Sequence, residues 1–233
     1  FEKQNKIFNM KIKKAVIIST HSDDETLGAG GTILKLKSKN TKIYWLQVTN
    51  SRGFGFNNSQ IKKRDAQIKK VEKFYKFDGV YSLNITGGEV YKSPKDVFIN
   101  NASKIIKKIK PDTIFINYFN DVHSDHVHTF NNFKFLFKSF RYPYIKNILM
   151  MEIISETDHG PQVSLNSFNP NIFVNIDNYI NKKCKAMSLY KTEIMKTPLP
   201  RSLDSIKALA RYRGSQIGCK YAEAFISLKQ IIE

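Results

Sequence analysis

Short apolar runs alternate with longer amphipathic segments along this chain, and that alternation most constrains its fold. Ala15-Val16-Ile17-Ile18 and Thr113-Ile114-Phe115-Ile116 are β-branched, free of charge and too short for buried helices, so they read as buried strands. The same reading predicts strands at 12–18, 41–49, 80–83, 113–118 and 146–154, with Ile43, Trp45 and Leu46 as core candidates in the second. Helices are predicted at 27–39, from Ser59 to near Phe77, from Pro94 to Pro111, over the phenylalanine-rich 130–140, and at 177–191 and 202–216. The glycine- and asparagine-rich segment 50–58 reads as a mobile loop at the strand-end rim, and 155–170 as a long loop.

The segments between successive strands are long enough for helical crossovers, so those strands run parallel. The expected architecture is α/β: a Rossmann-like, mostly parallel sheet with helices on both faces and its site at the C-terminal ends of the strands. With no internal repeat and no break in composition, residues 1–233 are expected to form a single domain. The chain begins at Phe1 rather than Met, which points to a tag remnant or disordered lead over residues 1–10, with Met10 as a natural start.

No apolar run approaches the ~20 residues of a membrane-spanning helix. Cys184 and Cys219 have no metal-ligand spacing, lie on predicted helical segments and read as two reduced thiols, which suits a cytoplasmic protein. A net charge of +18 would ordinarily suggest nucleic acid, a membrane surface or an anionic substrate. Here the excess is lysine rather than arginine, spread as Lys62-Lys63, Lys69-Lys70, Lys107-Lys108 and Lys182-Lys183, and it accompanies abundant Asn and Ile. That pattern reads first as a solvated surface, and second as attraction for an anionic sugar conjugate or a membrane-bound glycolipid.

The chemistry concentrates just after two of the strands. His21-Ser22-Asp23-Asp24-Glu25 follows the first, ahead of a helix that opens on small residues. His21 and Asp24, three apart across a tight turn, can reach one metal ion and leave Asp23 beside it as a free base. His123-Ser124-Asp125-His126-Val127-His128 follows the 113–118 strand, so four of the five histidines lie after two strands, near Asp23, Asp24, Asp121 and Asp125. Polar caps on strand-end loops explain either segment alone, but not the pair.

Residues 21–31 resemble the HPDDExLGxGG signature of the PIG-L/LmbE-type zinc-dependent de-N-acetylases, with Ser22 in place of the usual proline. Residues 123–126 resemble the same family's H-x-D-H motif. Arg213-Gly214 followed by Tyr221-Ala222-Glu223-Ala224-Phe225 is similar to its C-terminal RG…YAEAF stretch, so the similarity spans most of the chain. The resemblance implies a metal-dependent hydrolase that removes an N-acyl group, most simply acetyl, from an amino sugar or sugar conjugate. It implies one Zn²⁺ per chain on His21, Asp24 and His126, three ligands with an open fourth position. Two histidines and a carboxylate also suit Fe²⁺, and only the resemblance selects zinc.

In the same terms Asp23 matches the general base, and His123, when protonated, matches a group that stabilises the oxyanion or protonates the leaving amine. Asp125 is then expected to orient His123 and raise its pKa. Arg52 is a candidate substrate contact, Arg64 an alternative equally at home on an exposed helix face, and Glu223 a buried hydrogen-bonding residue. His128 and His159 receive no role in the site. The implied partner is an N-acylated sugar, nucleotide-sugar or glycolipid, with no specific nucleic acid, in a cytoplasmic protein that is free or peripheral to the membrane.

Two other classes compete. A dinucleotide-binding dehydrogenase would also place glycines after the first strand, but Gly28-Ala29-Gly30-Gly31 is not G-x-G-x-x-G and no acid ends the second strand. A basic nucleic-acid-binding module without catalysis would need clustered arginines and exposed stacking aromatics, whereas 130–140 reads as core.

Overall fold

The computed structural model describes residues 11–161 and 167–232. Residues 1–10, with the suggested tag remnant and Met10, lie outside the described residues, as do 162–166 of the expected long loop.

Seven strands form one sheet: β1 (Lys14–Ser19), β2 (Lys42–Gly53), β3 (Gly79–Gly87), β4 (Thr113–Asn117), β5 (Asn147–Met151), β6 (Ile172–Asn175) and β7 (Ala222–Gln230). Their spatial order is β3-β2-β1-β4-β5-β7-β6. The five strands from β3 to β5 are parallel to their neighbours, and β7 runs antiparallel to both β5 and β6. Among the described residues six α-helices complete the fold: α1 (Asp24–Ser38), α2 (Asn58–Tyr75), α3 (Lys95–Ile109), α4 (Ser124–Phe133), α5 (Ile180–Met187) and α6 (Leu203–Ser215).

The two-residue period of β1 divides the interior into two cores. Ala15 and Ile17 face one side, packed with residues of α1, α2, α5 and α6. Val16 and Ile18 face the other, packed with Phe98, Ala102 and Ile106 of α3 and with Phe130 and Phe133 of α4. All four β1 residues are fully buried, which is why the run carries no polar alternation.

The parallel α/β sheet agrees with expectation, and several boundaries differ. β2 does not stop at Thr49: it continues to Gly53 and pairs there with Gly87, so the first half of the expected mobile loop is strand. β3 is correspondingly longer than 80–83. The 130–140 helix instead begins at Ser124, inside the histidine segment, and passes at Phe133 into a 3-10 turn over Lys134–Phe137. Cys219 lies in the turn after α6 rather than on a helix, and both cysteines are free.

β6 and β7 lie outside the strands expected from the sequence. β7 carries Glu223 between two alanines, a weak strand signal on propensity alone. Its carboxylate is buried and accepts hydrogen bonds from Gly31 N (2.8 Å), Thr32 N (2.7 Å) and Lys183 Nζ (2.7 Å). Lys183 Nζ also donates to Leu27 O at 2.7 Å, so this buried pair locks α1, α5 and β7 together. The approach is close enough to require glycine in α1: a Cβ at Gly31 would sit 2.8 Å from Ile176.

Candidate active site

The order of the sheet places a crevice at the carboxyl ends of β1 and β4. β1 leads outward to β2 on one side, while the chain returns through α3 to β4 on the other, so the two strands flank a topological switch point. Residues 20–23 alone connect β1 to α1, and both strand-end motifs enter helices at once. Asn117 ties the two ends together: its Oδ1 accepts from Thr20 Oγ1 (3.1 Å) and its Nδ2 donates to His126 O (2.9 Å).

His21, Asp24 and His126 converge. One ligand atom of each lies within 4.8 Å of the others, an arrangement that could hold a metal ion. His126 Nε2 is 3.3 Å from His21 Nδ1 and 3.4 Å from Asp24 Oδ2. The far nitrogen of each ring is held by a carboxylate: His126 Nδ1 by Asp121 Oδ2 at 2.7 Å, and His21 Nε2 by Asp125 Oδ2 at 3.1 Å. A carboxylate behind an imidazole fixes its proton on the outer nitrogen and turns the inner lone pair toward the metal position. Two such lone pairs facing each other beside a carboxylate call for a cation, so these residues fit a divalent metal. The electrostatics agree: although burial opposes it, Asp24 and Asp121 raise the His126 pKa well above the ordinary histidine value. Asp24 is held down to about 2, its burial outweighed by the two histidines. A second grouping, His21 with His123 and Asp125, also lies within such reach.

Asp23 is buried beside the cluster and adopts φ 148°, a region an L-residue enters only under strain, as recurs at functional positions. Its amide donates to Glu25 Oε2 (3.1 Å), and its carbonyl accepts from Thr26 and Leu27. Burial, then the charge of Asp24, pushes its pKa well above the usual carboxylate value, against Arg201 Nη1 at 4.0 Å. Glu25 points away, accepting from Tyr190 Oη at 2.8 Å, and burial raises its pKa to about 7.

The expected pairing of Asp125 with His123 is not what the structure holds. The Asp125 carboxylate accepts from His21 Nε2, from Gly88 N (2.6 Å) and from Val90 N (3.2 Å). These partners keep its pKa below the ordinary value despite burial. What orients His123 is the main-chain amide of Asp125, which donates to His123 Nδ1 at 3.1 Å as α4 is capped. Burial, then His21 and His126, lowers the His123 pKa to about 4. The ring is therefore neutral at pH 7, with Nδ1 occupied as an acceptor and Nε2 carrying the proton.

A cavity of about 230 Å³ opens over these groups, lined by His21, Asp23, Asp24, His123, Glu156, Glu193, Arg64 and Arg201, with Phe54 and Phe56 among the apolar walls. Arg64 pairs with Glu193, and Arg201 Nη1 lies 3.9 Å from the same carboxylate. Arg52 is exposed on the outer part of β2 and is not among the residues lining this cavity. Glu193 and Arg201, more than 65 residues from any histidine of the cluster, left no signal in sequence. Asp121 was visible as a nearby acid, but not as the partner of His126.

Fold and centre together define a class: an α/β protein with a histidine–carboxylate cluster at the sheet's switch point, of the de-N-acetylase type. The chain belongs to the PIG-L family, GlcNAc-PI de-N-acetylase, which it matches over residues 16–134, a span that includes both strand-end motifs. It is 26% identical over 238 aligned positions to a diacetylchitobiose deacetylase of Thermococcus kodakarensis, covering 95% of this chain and 85% of that one. It shares its fold with the N,N'-diacetylchitobiose deacetylase of Pyrococcus horikoshii (TM-score 0.74, 20% identity, 94% of this chain and 84% of that one). It also shares it with the 4-carboxy-2-hydroxymuconate hydratase GalB of Pseudomonas putida (TM-score 0.73, 15% identity, 95% and 98%). The same fold thus carries hydratase chemistry too, and function has to be argued from the site.

Proposed function

We propose that this protein is a zinc-dependent hydrolase that removes an N-acetyl group from an amino sugar or sugar conjugate. The observation that carries the reading is the pair of carboxylate-backed imidazoles whose inner nitrogens converge on Asp24, with a strained, buried carboxylate, Asp23, alongside. His21, Asp24 and His126 would hold the ion, which when bound supplies the Lewis acidity for attack on an amide at neutral pH.

The chain's own groups then divide the work. Asp23 accepts a proton from the attacking water, and its raised pKa makes it a stronger base than an exposed aspartate while keeping it able to return that proton to the departing amine. His123, neutral and with Nδ1 engaged by Asp125 N, presents Nε2–H to the carbonyl oxygen as negative charge develops there. Proton balance is closed: water adds to the acyl carbon, the C–N bond breaks, and acetate and a primary amine leave. Arg64 and Arg201, both engaged with Glu193, form a polar wall rather than a free cationic patch.

The basic surface does not reach into this cleft, where Asp23, Asp24, Glu156 and Glu193 outnumber the two arginines. A nucleic-acid phosphate backbone is therefore a poor match for the site. Among the described residues no helix is long and apolar enough to cross a membrane. The test is release of primary amine and acetate from free, nucleotide-linked and lipid-linked N-acetylhexosamines, by chelator-treated protein with and without added Zn²⁺. Zinc-restored release supports the reading; no release from any of the three by zinc-loaded protein refutes it.

A further inference from the structure

Among the aromatic walls of the cavity, Phe54 takes no part in the catalytic steps. Phe54 is 53% exposed, yet its ring lines the cavity beside His21 and Asp23. Its centroid lies 5.8 Å from that of His21 and 6.0 Å from that of His123, edge-to-face in both cases, so the phenyl borders the metal-site imidazole of His21 and the neighbouring ring of His123. Leaving a phenyl half in water is unfavourable, and the backbone that holds it there is strained as well. Phe54 has φ 53°, between Gly53 at 104° and Gly55 at 74°, three successive residues on the left-handed side. Across the β2–β3 end, the ring rests against Gly87, where a Cβ would come within 2.6 Å of Phe54 Cε2. The neighbouring ring, Phe56, is already in use, with the Arg64 guanidinium 4.7 Å from its centroid.

We propose that Phe54 is the platform on which the substrate's pyranose ring stacks, and that it makes the enzyme specific for cyclic N-acetylhexosamines over acyclic N-acetyl amines. This rests on the sugar-deacetylase reading above. A pyranose with equatorial substituents offers a face of axial C–H bonds, weakly positive and apolar, which suits the negative face of a phenyl quadrupole. An acyclic chain has no such face to offer. Stacked on Phe54, a ring would sit against the His21 and His123 side of the cavity, where its equatorial acetamido group can reach past the ring edge toward Asp23. The positive φ of Phe54 then has a use, because it belongs to the turn that sets the phenyl beside the imidazoles.

The experiment compares wild type with Phe54→Ala and Phe54→Trp, with metal content measured in each. Turnover is followed on an N-acetylglucosaminyl disaccharide and on N-acetylglucosaminitol, an acyclic N-acetyl amine. Binding of N-acetylglucosamine to zinc-free protein is measured separately by NMR titration. Phe54→Ala is expected to raise KM for the disaccharide about 3- to 10-fold, the scale of one aromatic ring-face contact. Its kcat should stay within about twofold, its zinc content should be unchanged, KM for the acyclic substrate should not move, and Phe54→Trp should restore the wild-type KM. The zinc-free affinity for the sugar should fall by the same factor in the Ala variant. Equal KM and equal sugar affinity in wild type and Phe54→Ala would overturn the platform. So would an equal loss on cyclic and acyclic substrates, which would make Phe54 merely a wall. If the zinc-free protein binds the sugar in a Phe54-dependent way but zinc-loaded wild type releases no acetate, the platform stands and the deacetylase reading falls.

Discussion

Replacing Asp125 by Asn tests the centre at its most informative point, because two roles for this carboxylate predict opposite results. In the structure Asp125 Oδ2 takes His21 Nε2 at 3.1 Å and Gly88 N at 2.6 Å, while Oδ1 takes Val90 N at 3.2 Å. Asn has one acceptor oxygen. If that oxygen keeps the His21 side, its NH₂ faces the buried Val90 N–H, leaving an unsatisfied donor worth about 1–3 kcal/mol of folding stability. The His21 contact meanwhile changes from charge-assisted to neutral, which makes the imidazole a weaker ligand. Loss of a carboxylate behind a metal-ligating histidine typically lowers metal affinity about 10- to 100-fold, or about 1.4–2.7 kcal/mol. Competition with a chromophoric chelator should therefore show the zinc Kd of Asp125→Asn rising by that factor, with kcat largely recovered at saturating zinc. If Asp125 instead acted through the charge of His123, zinc affinity would be unchanged and only the pH profile would move. An unaltered Kd would refute the assignment to His21.

Asp23→Asn should keep stoichiometric zinc while kcat falls about 10²- to 10⁴-fold, the usual loss on removing a general base; metal analysis beside steady-state kinetics decides it. Arg201→Met removes the positive neighbour that lowers the Asp23 pKa, so that pKa rises further. Activity needs Asp23 ionised, so the acidic limb of the kcat/KM profile should shift to higher pH; a limb that stays put or moves down would contradict the sign. Glu223→Gln breaks the buried pair with Lys183, whose two side chains are 3% and 5% exposed, and leaves an uncompensated ammonium in the interior. About 3–5 kcal/mol of stability should be lost in denaturant unfolding, and a loss under about 1 kcal/mol would show the pair to be incidental.

The sheet and the cluster differ in how far they could be read from the chain. Ala15–Ile18 and Thr113–Ile116 are buried on both faces, so their apolar runs announce central parallel strands without any tertiary information. His21, Asp23 and Asp24 also declare themselves, because one four-residue connection between β1 and α1 leaves them no room to be far apart. The antiparallel edge did not, since β6 has only four residues and β7 spends its second position on Glu223, whose charge is tolerated only because Gly31, Thr32 and Lys183 converge on it. Which histidine Asp125 serves was likewise beyond the sequence. Spacing makes His123 its neighbour in the chain, but helix α4 turns its carboxylate toward His21, 104 residues away, and toward the amides after β3. The walls of the cavity, with Arg201 and Glu193 arriving from the far end of the chain and Phe54 from the extended β2, have the same origin. Local pattern governs backbone conformation and burial, whereas the direction of a polar side chain depends on donors and acceptors that only packing brings within reach.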